Sequence, residues 1–124
     1  MGDRQRKDNM GYTNYWHQYR NFTDQEWNQI KNEMTYIKDI QYKTLDKITI
    51  TDEHISFNGK RPFSCETFFL NKTTYKDKLY EDQDLSFHFC KTREFPYDIF
   101  VWHMLIFCAG MINDKDKFNI SRDR

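Results

Sequence analysis

Several polar side chains that could bind an anion lie between a predicted strand and a predicted helix near the C-terminal end of the chain. They are Lys91, Thr92, Arg93, Tyr97 and Asp98. The start of a helix offers unpaired backbone N–H groups and the positive end of the helix dipole, and both favour phosphate or carboxylate. Lys91 and Arg93 would add positive charge, and the ring of Tyr97 would offer a stacking surface. This turn is therefore the first candidate for a ligand-binding site.

The same turn has a purely structural interpretation. Thr92 would then cap the helix, the two cations would be solvated, and Asp98 near the third helical position would complement the helix dipole. Because both interpretations use the same residues, the turn alone leaves them open.

Glu66 is the second candidate for chemistry. In a predicted strand over Phe63–Leu70, alternation places Glu66 on the same face as Phe68. A carboxylate on such a face lies either at the rim, in water, or in the interior with a partner, and Lys91 or Arg20 could be that partner. Glu66 is thus either a member of a structural ion pair or a general base.

Residue spacing argues against a metal site. His88 and Cys90 would share one strand face, but the chain has no C-x-x-C, no H-x-x-x-H and no cluster of carboxylates. G-x-S-x-G and a glycine-rich phosphate loop are also missing, so we predict no metal and no cofactor. Cys90 and Cys108 are typical of small buried hydrophobic residues, and His103 is typical of a core histidine.

Composition narrows the class of protein. The 124 residues suffice for one domain, and 19 basic residues balance 19 acidic ones, so no net charge favours nucleic acid or an anionic membrane. Three cysteines without a close pair indicate a reducing compartment, which predicts a cytoplasmic protein. The longest apolar run, Ile99 to Ile112, is shorter than the roughly 20 residues of a membrane span.

Two helices must position these side chains. Thr23 and Glu26 fit a capping box, and Phe22 and Trp27 occupy the positions of a hydrophobic staple. A helix is therefore predicted from Thr23 to about residue 40, with one apolar stripe. That stripe comprises Trp27, Ile30, Met34 and Ile37.

The second helix is predicted to be buried, because the segment up to Ile112 is apolar on all sides. Pro96 suits its first turn, where a missing N–H group costs nothing. Gly110 lies near its expected end.

Alternating and aromatic segments between and around the helices predict strands. These segments are Tyr12–Tyr19, Ile48–Ile50, His54–Phe57, Phe63–Leu70, Ser86–Cys90 and a short strand at Phe118–Ile120. Asn58-Gly59 predicts a turn, and residues 71–84 predict a loop. The fold class is α+β, a mostly antiparallel β-sheet with an amphipathic N-terminal helix and a buried C-terminal helix. Residues 1–11 are predicted to form a flexible tail, 12–120 a single domain and 121–124 a second tail.

Five short blocks together resemble a family of small uncharacterised proteins from bacteria, bacteriophages and large DNA viruses. They are Tyr15-Trp16, Phe22-Thr23 with Glu26-Trp27, Phe57-Asn58-Gly59, Glu66-Thr67-Phe68, and Phe89-Cys90-Lys91-Thr92 with Pro96-Tyr97-Asp98. The likeness covers roughly residues 12–112, and its most specific part is the FCKT-x-x-x-PYD block. That block typically resembles FCKTARKPYD, so this chain lacks one basic position between Thr92 and Pro96.

The resemblance implies that polar residues of several blocks converge in one pocket at the end of the sheet. The candidate ligand-binding residues are Lys91, Thr92, Arg93, Tyr97, Asp98, Glu66, Asn58 and Arg20. The first hypothesis is a cytosolic accessory protein of viral or phage type that binds a phosphate-bearing small molecule and sequesters a nucleotide-derived defence signal.

Two alternatives remain. One is a protein–protein inhibitor or structural accessory module that binds a host protein, with the block serving only the fold. The other is a small enzyme with Glu66 or Asp98 as base and Lys91 as electrostatic stabiliser. Aromatic richness and free sheet edges also favour a homo-oligomer.

Overall fold

Two helices and two three-stranded antiparallel sheets make up the fold. A computed structural model describes residues 12–74 and 85–123. The elements in chain order are β1 (Thr13–Gln18), α1 (Asp24–Ile40), β2 (Leu45–Ile50), β3 (His54–Gly59), β4 (Phe68–Asn71), β5 (Phe87–Lys91), α2 (Asp98–Ile112) and β6 (Phe118–Asp123). The predicted α+β class is confirmed, and the strands divide into two sheets.

Helix α1 begins where the sequence predicts. Thr23 Oγ1 accepts a hydrogen bond from the Glu26 N–H at 3.1 Å, and the Glu26 carboxylate accepts one from the Thr23 N–H at 2.9 Å. The rings of Phe22 and Trp27 lie 5.9 Å apart, as a hydrophobic staple requires. The four predicted stripe residues are buried, and the helix ends at Ile40, so this part of the prediction is confirmed.

The two sheets meet through aromatic side chains. In the first sheet, with order β5-β1-β6, the central strand places Trp16 opposite His88 on one side and Ile120 on the other. In the second sheet, with order β2-β3-β4, Phe68 contacts Phe57, and the ring centroids lie 5.2 Å apart. Trp16 reaches Phe68 at 5.4 Å, so these rings join the sheets into one core.

The predicted C-terminal tail is wrong for residues 121–123. Strand β6 continues to Asp123, which lies opposite Thr13 of β1. The reason is that the central strand β1 has a second edge whose backbone groups need hydrogen-bond partners, and β6 supplies them along its full length. The predicted tail at residues 1–11, residue 124, and residues 75–84 of the predicted loop lie outside the described residues.

The predicted strand over Phe63–Leu70 is also wrong in its first half, because β4 begins only at Phe68. The preceding segment forms a loop that the Asn58 side chain holds through the backbone of Cys65. Asn58-Gly59 does not form the predicted turn and instead ends β3. The turn follows it, with a Phe63 N–H to Lys60 carbonyl hydrogen bond of 2.7 Å.

Helix α2 differs from the prediction at its start and in its burial. It begins at Asp98, so Pro96 precedes the helix and Asp98 occupies its first rather than its third position. It ends at Ile112, followed by Asn113 in the left-handed conformation. Only one face of α2 is buried: on the other, Ile99 is 67% and Ile106 50% exposed. The expectation of a buried helix therefore holds for one side only.

Candidate functional site

Most of the predicted site residues come together where β5 ends, α2 begins and the loop before β4 turns. They form two adjoining hydrogen-bonded groups. The Asp98 cluster consists of Asn14, Thr92, Asp98 and Arg122. The Tyr97 cluster consists of Glu66, Lys91 and Tyr97, and Asn58 bonds the adjoining loop through Cys65 and Thr67. These residues thus lie close together in the fold, while the expected pocket and its ligand-binding role stay predictions.

The Asp98 carboxylate is the centre of the first group. Its Oδ1 accepts hydrogen bonds from Asn14 Nδ2 at 2.8 Å and from Thr92 Oγ1 at 2.6 Å. Its Oδ2 pairs with the Arg122 guanidinium, which also donates to Asn14 Oδ1 at 3.0 Å. Asp98 is 2% exposed, Asn14 1% and Thr92 0%. Because a buried carboxylate is costly without partners, the four side chains act as one unit that joins β1, β6 and α2.

Arg122 is the only cation among the side chains that contact Asp98 in the described part of the chain. Its guanidinium carbon also lies 4.6 Å from the ring centroid of Trp102 on α2. A guanidinium over an indole face gains a cation–π attraction. Arg122 therefore holds the last strand against the last helix through both charge and stacking.

The Tyr97 cluster closes the loop that precedes β4. The Tyr97 hydroxyl donates to the Glu66 carbonyl at 2.6 Å, and burial of that hydroxyl raises the pKa of Tyr97 well above its usual value. The Lys91 N–H donates to the Glu66 carboxylate at 2.6 Å, while the Glu66 N–H donates to the Lys91 carbonyl at 3.1 Å. Glu66 thus continues the hydrogen bonding of β5 at its outer edge.

Asn58 and Gly59 fix the other side of this loop. Asn58 Nδ2 donates to the Cys65 carbonyl at 3.0 Å and to Thr67 Oγ1 at 3.2 Å, and its Oδ1 accepts from the Cys65 N–H at 3.2 Å. A Cβ atom on Gly59 would lie 2.8 Å from a ring carbon of Tyr97 and would collide with the Phe63 carbonyl. Gly59 is therefore required for close packing and not for a positive φ angle.

Three of the eight predicted ligand-binding residues are buried: Thr92, Tyr97 and Asp98. Thr92 and Tyr97 are 0% exposed, and Thr92 does not cap α2, whose N-cap residue has no side-chain cap bond. Arg93 and Glu66 are exposed and Lys91 is half-buried. An external phosphate would therefore meet Lys91 and Arg93 before any other member of the block.

Arg20 lies with the start of α1, where it forms a two-point ion pair with Glu26 at 2.8 and 2.9 Å. This hydrogen bonding lowers the pKa of Glu26 to about 2. The expectation that Arg20 pairs with Glu66 is therefore wrong. Glu66 does have Lys91 as its neighbour, through the Lys91 backbone N–H.

The enzymatic alternative depends on carboxylates that the structure places in different surroundings. Asp98 accepts from three side chains and is 2% exposed, so acting as a base would first require it to lose those bonds. Glu66 is exposed and accepts a backbone N–H. The enzymatic role stays a prediction.

No group of three or more His, Cys, Asp or Glu side chains within residues 12–74 and 85–123 could hold a metal ion. Cys90 and Cys108 are buried, as expected, and burial raises the pKa of both thiols. His103, expected in the core, is instead exposed on α2, with its Nε2 2.6 Å from Glu33 on α1. The difference follows from the one-sided burial of α2.

Sequence reasoning missed two members of the Asp98 cluster. The sequence contains a weak indication of Asn14, because this polar residue lies in an aromatic strand on the same face as the buried Trp16. Arg122 carried no signal, because its neighbourhood in the chain is polar and charged.

A second surface stands apart from these clusters. The exposed positions of α2 include Ile99, His103, Ile106 and Gly110, and the single charged residue of the helix, Asp98, is buried. A shallow groove of about 740 Å³ runs beside Ile106 between the two helices. Nothing lies within 4 Å of the place where a Gly110 Cβ would stand. Of the helices in the described residues, neither has the length and apolar character to cross a membrane.

Searches of protein-family models, curated proteins and solved structures gave no match to this chain. The resemblance to the family with the FCKT-x-x-x-PYD block therefore stays a prediction. The function has to be argued from the geometry of the chain itself.

Proposed function

We propose that this protein is a protein-binding module that recognises an amphipathic helix of a partner protein on the exposed face of α2. One observation carries the proposal: the exposed face of this 15-residue helix has no charged side chain and presents Ile99 and Ile106 to solvent. A surface helix normally places charged and polar residues on its outer face. Here that face has the composition of a contact surface.

The groove next to Ile106 fits a helical ridge better than a small molecule. It is open and shallow, and its walls are the polar side of α1 and the apolar side of α2. The open space above Gly110 would admit a side chain of the partner. A helix with apolar residues three and four positions apart fills such a groove.

The rim of the groove indicates a partner with uncharged polar flanks. Glu26 on the rim is neutralised by Arg20, and Glu33 nearby contacts His103. The remaining rim side chains from α1 and its N-cap residue are uncharged: Thr23, Gln25 and Gln29. A strongly charged partner helix would gain little from this rim, since its ion-pairing groups already have partners.

The test compares co-purified proteins for three tagged forms of the chain, quantified by mass spectrometry. The form Ile99→Lys/Ile106→Lys should lose the partner that the wild type retains, with an unchanged melting temperature. The control Tyr36→Lys/Tyr42→Lys changes two residues that are 62% and 59% exposed outside α2, and it should retain the partner. Equal recovery by all three forms would exclude the α2 face as the binding surface.

A second candidate function is the binding of a phosphate-bearing small molecule at the turn between β5 and α2. The observation that favours it is the backbone of two consecutive non-glycine residues, Arg93 with φ 55° and Glu94 with φ 58°. Left-handed conformations cost energy for such residues and concentrate at binding sites. The exposed Arg93 and half-buried Lys91 lie beside the first turn of α2, which lacks a side-chain cap.

Native mass spectrometry of the purified protein tests this second candidate. A bound phosphate-containing mass that disappears in Lys91→Ala/Arg93→Ala would support it and would identify the ligand. The matched control is Lys115→Ala/Lys117→Ala, two exposed cations before β6, which should keep the ligand. A protein that gains no mass from a nucleotide-rich lysate would count against it.

A further inference from the structure

The outer edge of β5 presents backbone groups that have no partner within the described residues. The Gln18 N–H donates to the Ser86 carbonyl and the Thr92 N–H to the Tyr12 carbonyl, so even-numbered residues on this strand face β1. In an antiparallel ladder the intervening residues face the other way. Lys91 does so, and its N–H and carbonyl are both bonded to Glu66. The N–H and carbonyl groups of Phe87 and Phe89 therefore point outward from the sheet.

In the described structure, this edge lacks the charges and the bulge found at the edges formed by β6 and β2. Natural edges are protected by charges, bulges or short length. The edge strand β2 has Asp46 and Lys47 at a shift of register, β6 has Arg122 and Asp123, and β4 is four residues long. The segment from Phe87 to Phe89 has no charged residue and no proline.

The side chains of this edge are also exposed to solvent. Phe87 is 40% and Phe89 55% exposed, and their rings lie 6.1 Å apart on the outer face of the sheet. A groove of about 260 Å³ runs along this edge between β5 and β4, with Trp16 among its lining residues and the 45% exposed Phe69 on its far side. The outward-facing side of this edge is thus open to solvent at Phe87 and Phe89.

We propose that β5 is the interface of a two-fold symmetric dimer, in which the strand pairs antiparallel with β5 of a second copy about an axis at His88. The argument for a second copy is self-complementarity. The outward-facing residues Phe87 and Phe89 are two positions apart, so the axis places each Phe87 opposite Phe89 of the other copy. Each such pair exchanges both of its N–H···O bonds.

The dimer also accounts for the two ends of the pairing. Beyond Phe89, the next outward-facing residue is Lys91. Its backbone N–H is already hydrogen-bonded to Glu66, so pairing stops there in both copies. Uncharged identical strands meet without like-charge repulsion, and aromatic cross-strand pairs stabilise a sheet. The β5-β1-β6 sheets of the two copies would then form one six-stranded sheet, whose outer strands are the two charged β6 strands. This proposal uses none of the α2 residues of the proposed function and stands independently of it.

Cysteine cross-linking tests the register. In hydrogen-bonded pairs the Cα atoms lie about 5.5 Å apart, within the roughly 4.4–6.8 Å range of disulfides, whereas diagonal neighbours are about 7–8 Å apart. An oxidised mixture of Phe87→Cys and Phe89→Cys protein should therefore give the mixed disulfide, and each variant oxidised alone should give little. The oxidised wild type measures the background from Cys65, Cys90 and Cys108. Equal cross-linking in the single-variant samples would overturn the register.

Sedimentation velocity tests the dimer itself. The wild type should sediment as a dimer, Phe89→Ala should dimerise more weakly, and Phe89→Pro should be a monomer. The proline removes only an outward N–H group, which an edge strand tolerates. A wild type that stays monomeric at its highest attainable concentration, or a dimer that survives Phe89→Pro, would overturn the proposal. Should Phe89→Pro fail to fold, the cross-linking of Phe87→Cys with Phe89→Cys tests the dimer instead.

Discussion

Arg122 in β6 forms an ion pair with Asp98 at the start of α2, and the exposed fractions of the two side chains are 22% and 3%. The pair joins the last strand to the last helix, and Thr92 and Asn14 also donate hydrogen bonds to the carboxylate. The most specific block of the sequence, FCKT-x-x-x-PYD, therefore supplies a buried polar connection within the fold.

Removing the Asp98 carboxylate should be strongly destabilising, because the buried Asn14 and Thr92 would lose their hydrogen-bond acceptor and the part-buried Arg122 would lose its counter-charge. We expect Asp98→Ala to lower the free energy of unfolding by about 3–5 kcal/mol, measured by urea denaturation. The control Asp52→Ala removes an ion pair whose carboxylate is 90% exposed, and it should change stability little. Similar losses in the two variants would contradict a structural role for Asp98.

Truncation after Ile120 should destabilise the protein beyond the loss in full-length Arg122→Ala. The truncation removes both the Arg122 side chain and the pairing of Asp123 with Thr13, whereas the substitution removes the side chain alone. Thermal denaturation of the two forms separates these contributions. A truncated chain as stable as the wild type would mean that the end of β6 adds nothing to the fold.

Replacing Gly59 and Gly110 by alanine should change the free energy of unfolding in opposite directions. At Gly59 a Cβ would collide with the Phe63 carbonyl and crowd Tyr97, so we expect a loss of about 3 kcal/mol, at the upper end of the range for overpacking. Gly110 lies in a helix with open space around it, so Gly110→Ala should stabilise the protein by about 0.5–1 kcal/mol. Urea denaturation measures both. A neutral Gly59→Ala would contradict the packing of Tyr97 described above.

Low pH should lower the stability that the first turn of α1 contributes to the fold. The Arg20 hydrogen bond lowers the pKa of Glu26 from 4.5 to about 2, so this carboxylate stabilises the folded state above the unfolded pKa. The stabilisation, on the order of 2–3 kcal/mol, should be lost as the pH falls from about 4.5 through about 2. In Glu26→Gln this contribution is absent at every pH. The difference in unfolding free energy between wild type and variant, measured across this interval, should therefore shrink; a constant difference would exclude the linkage.

Local patterns in the sequence were sufficient to predict helix α1 and the fold class. The capping box, the staple and the apolar stripe are interactions between residues a few positions apart, so the sequence fixes their geometry through the helix period alone. The alternating strands and the polar turns between them likewise predict an α+β domain.

Only the tertiary structure decided which polar residues meet. Arg122 reaches Asp98 because β6 pairs with β1 beside α2, and the charged C-terminal sequence contains no sign of that pairing. Long-range pairing also decided the late start of β4 and the exposure of half of α2. Each of these depends on contacts between distant segments, whereas periodicity reports only which side of an element is apolar. In α2 both sides are apolar, so packing against α1 and against the sheet selected the face that became buried.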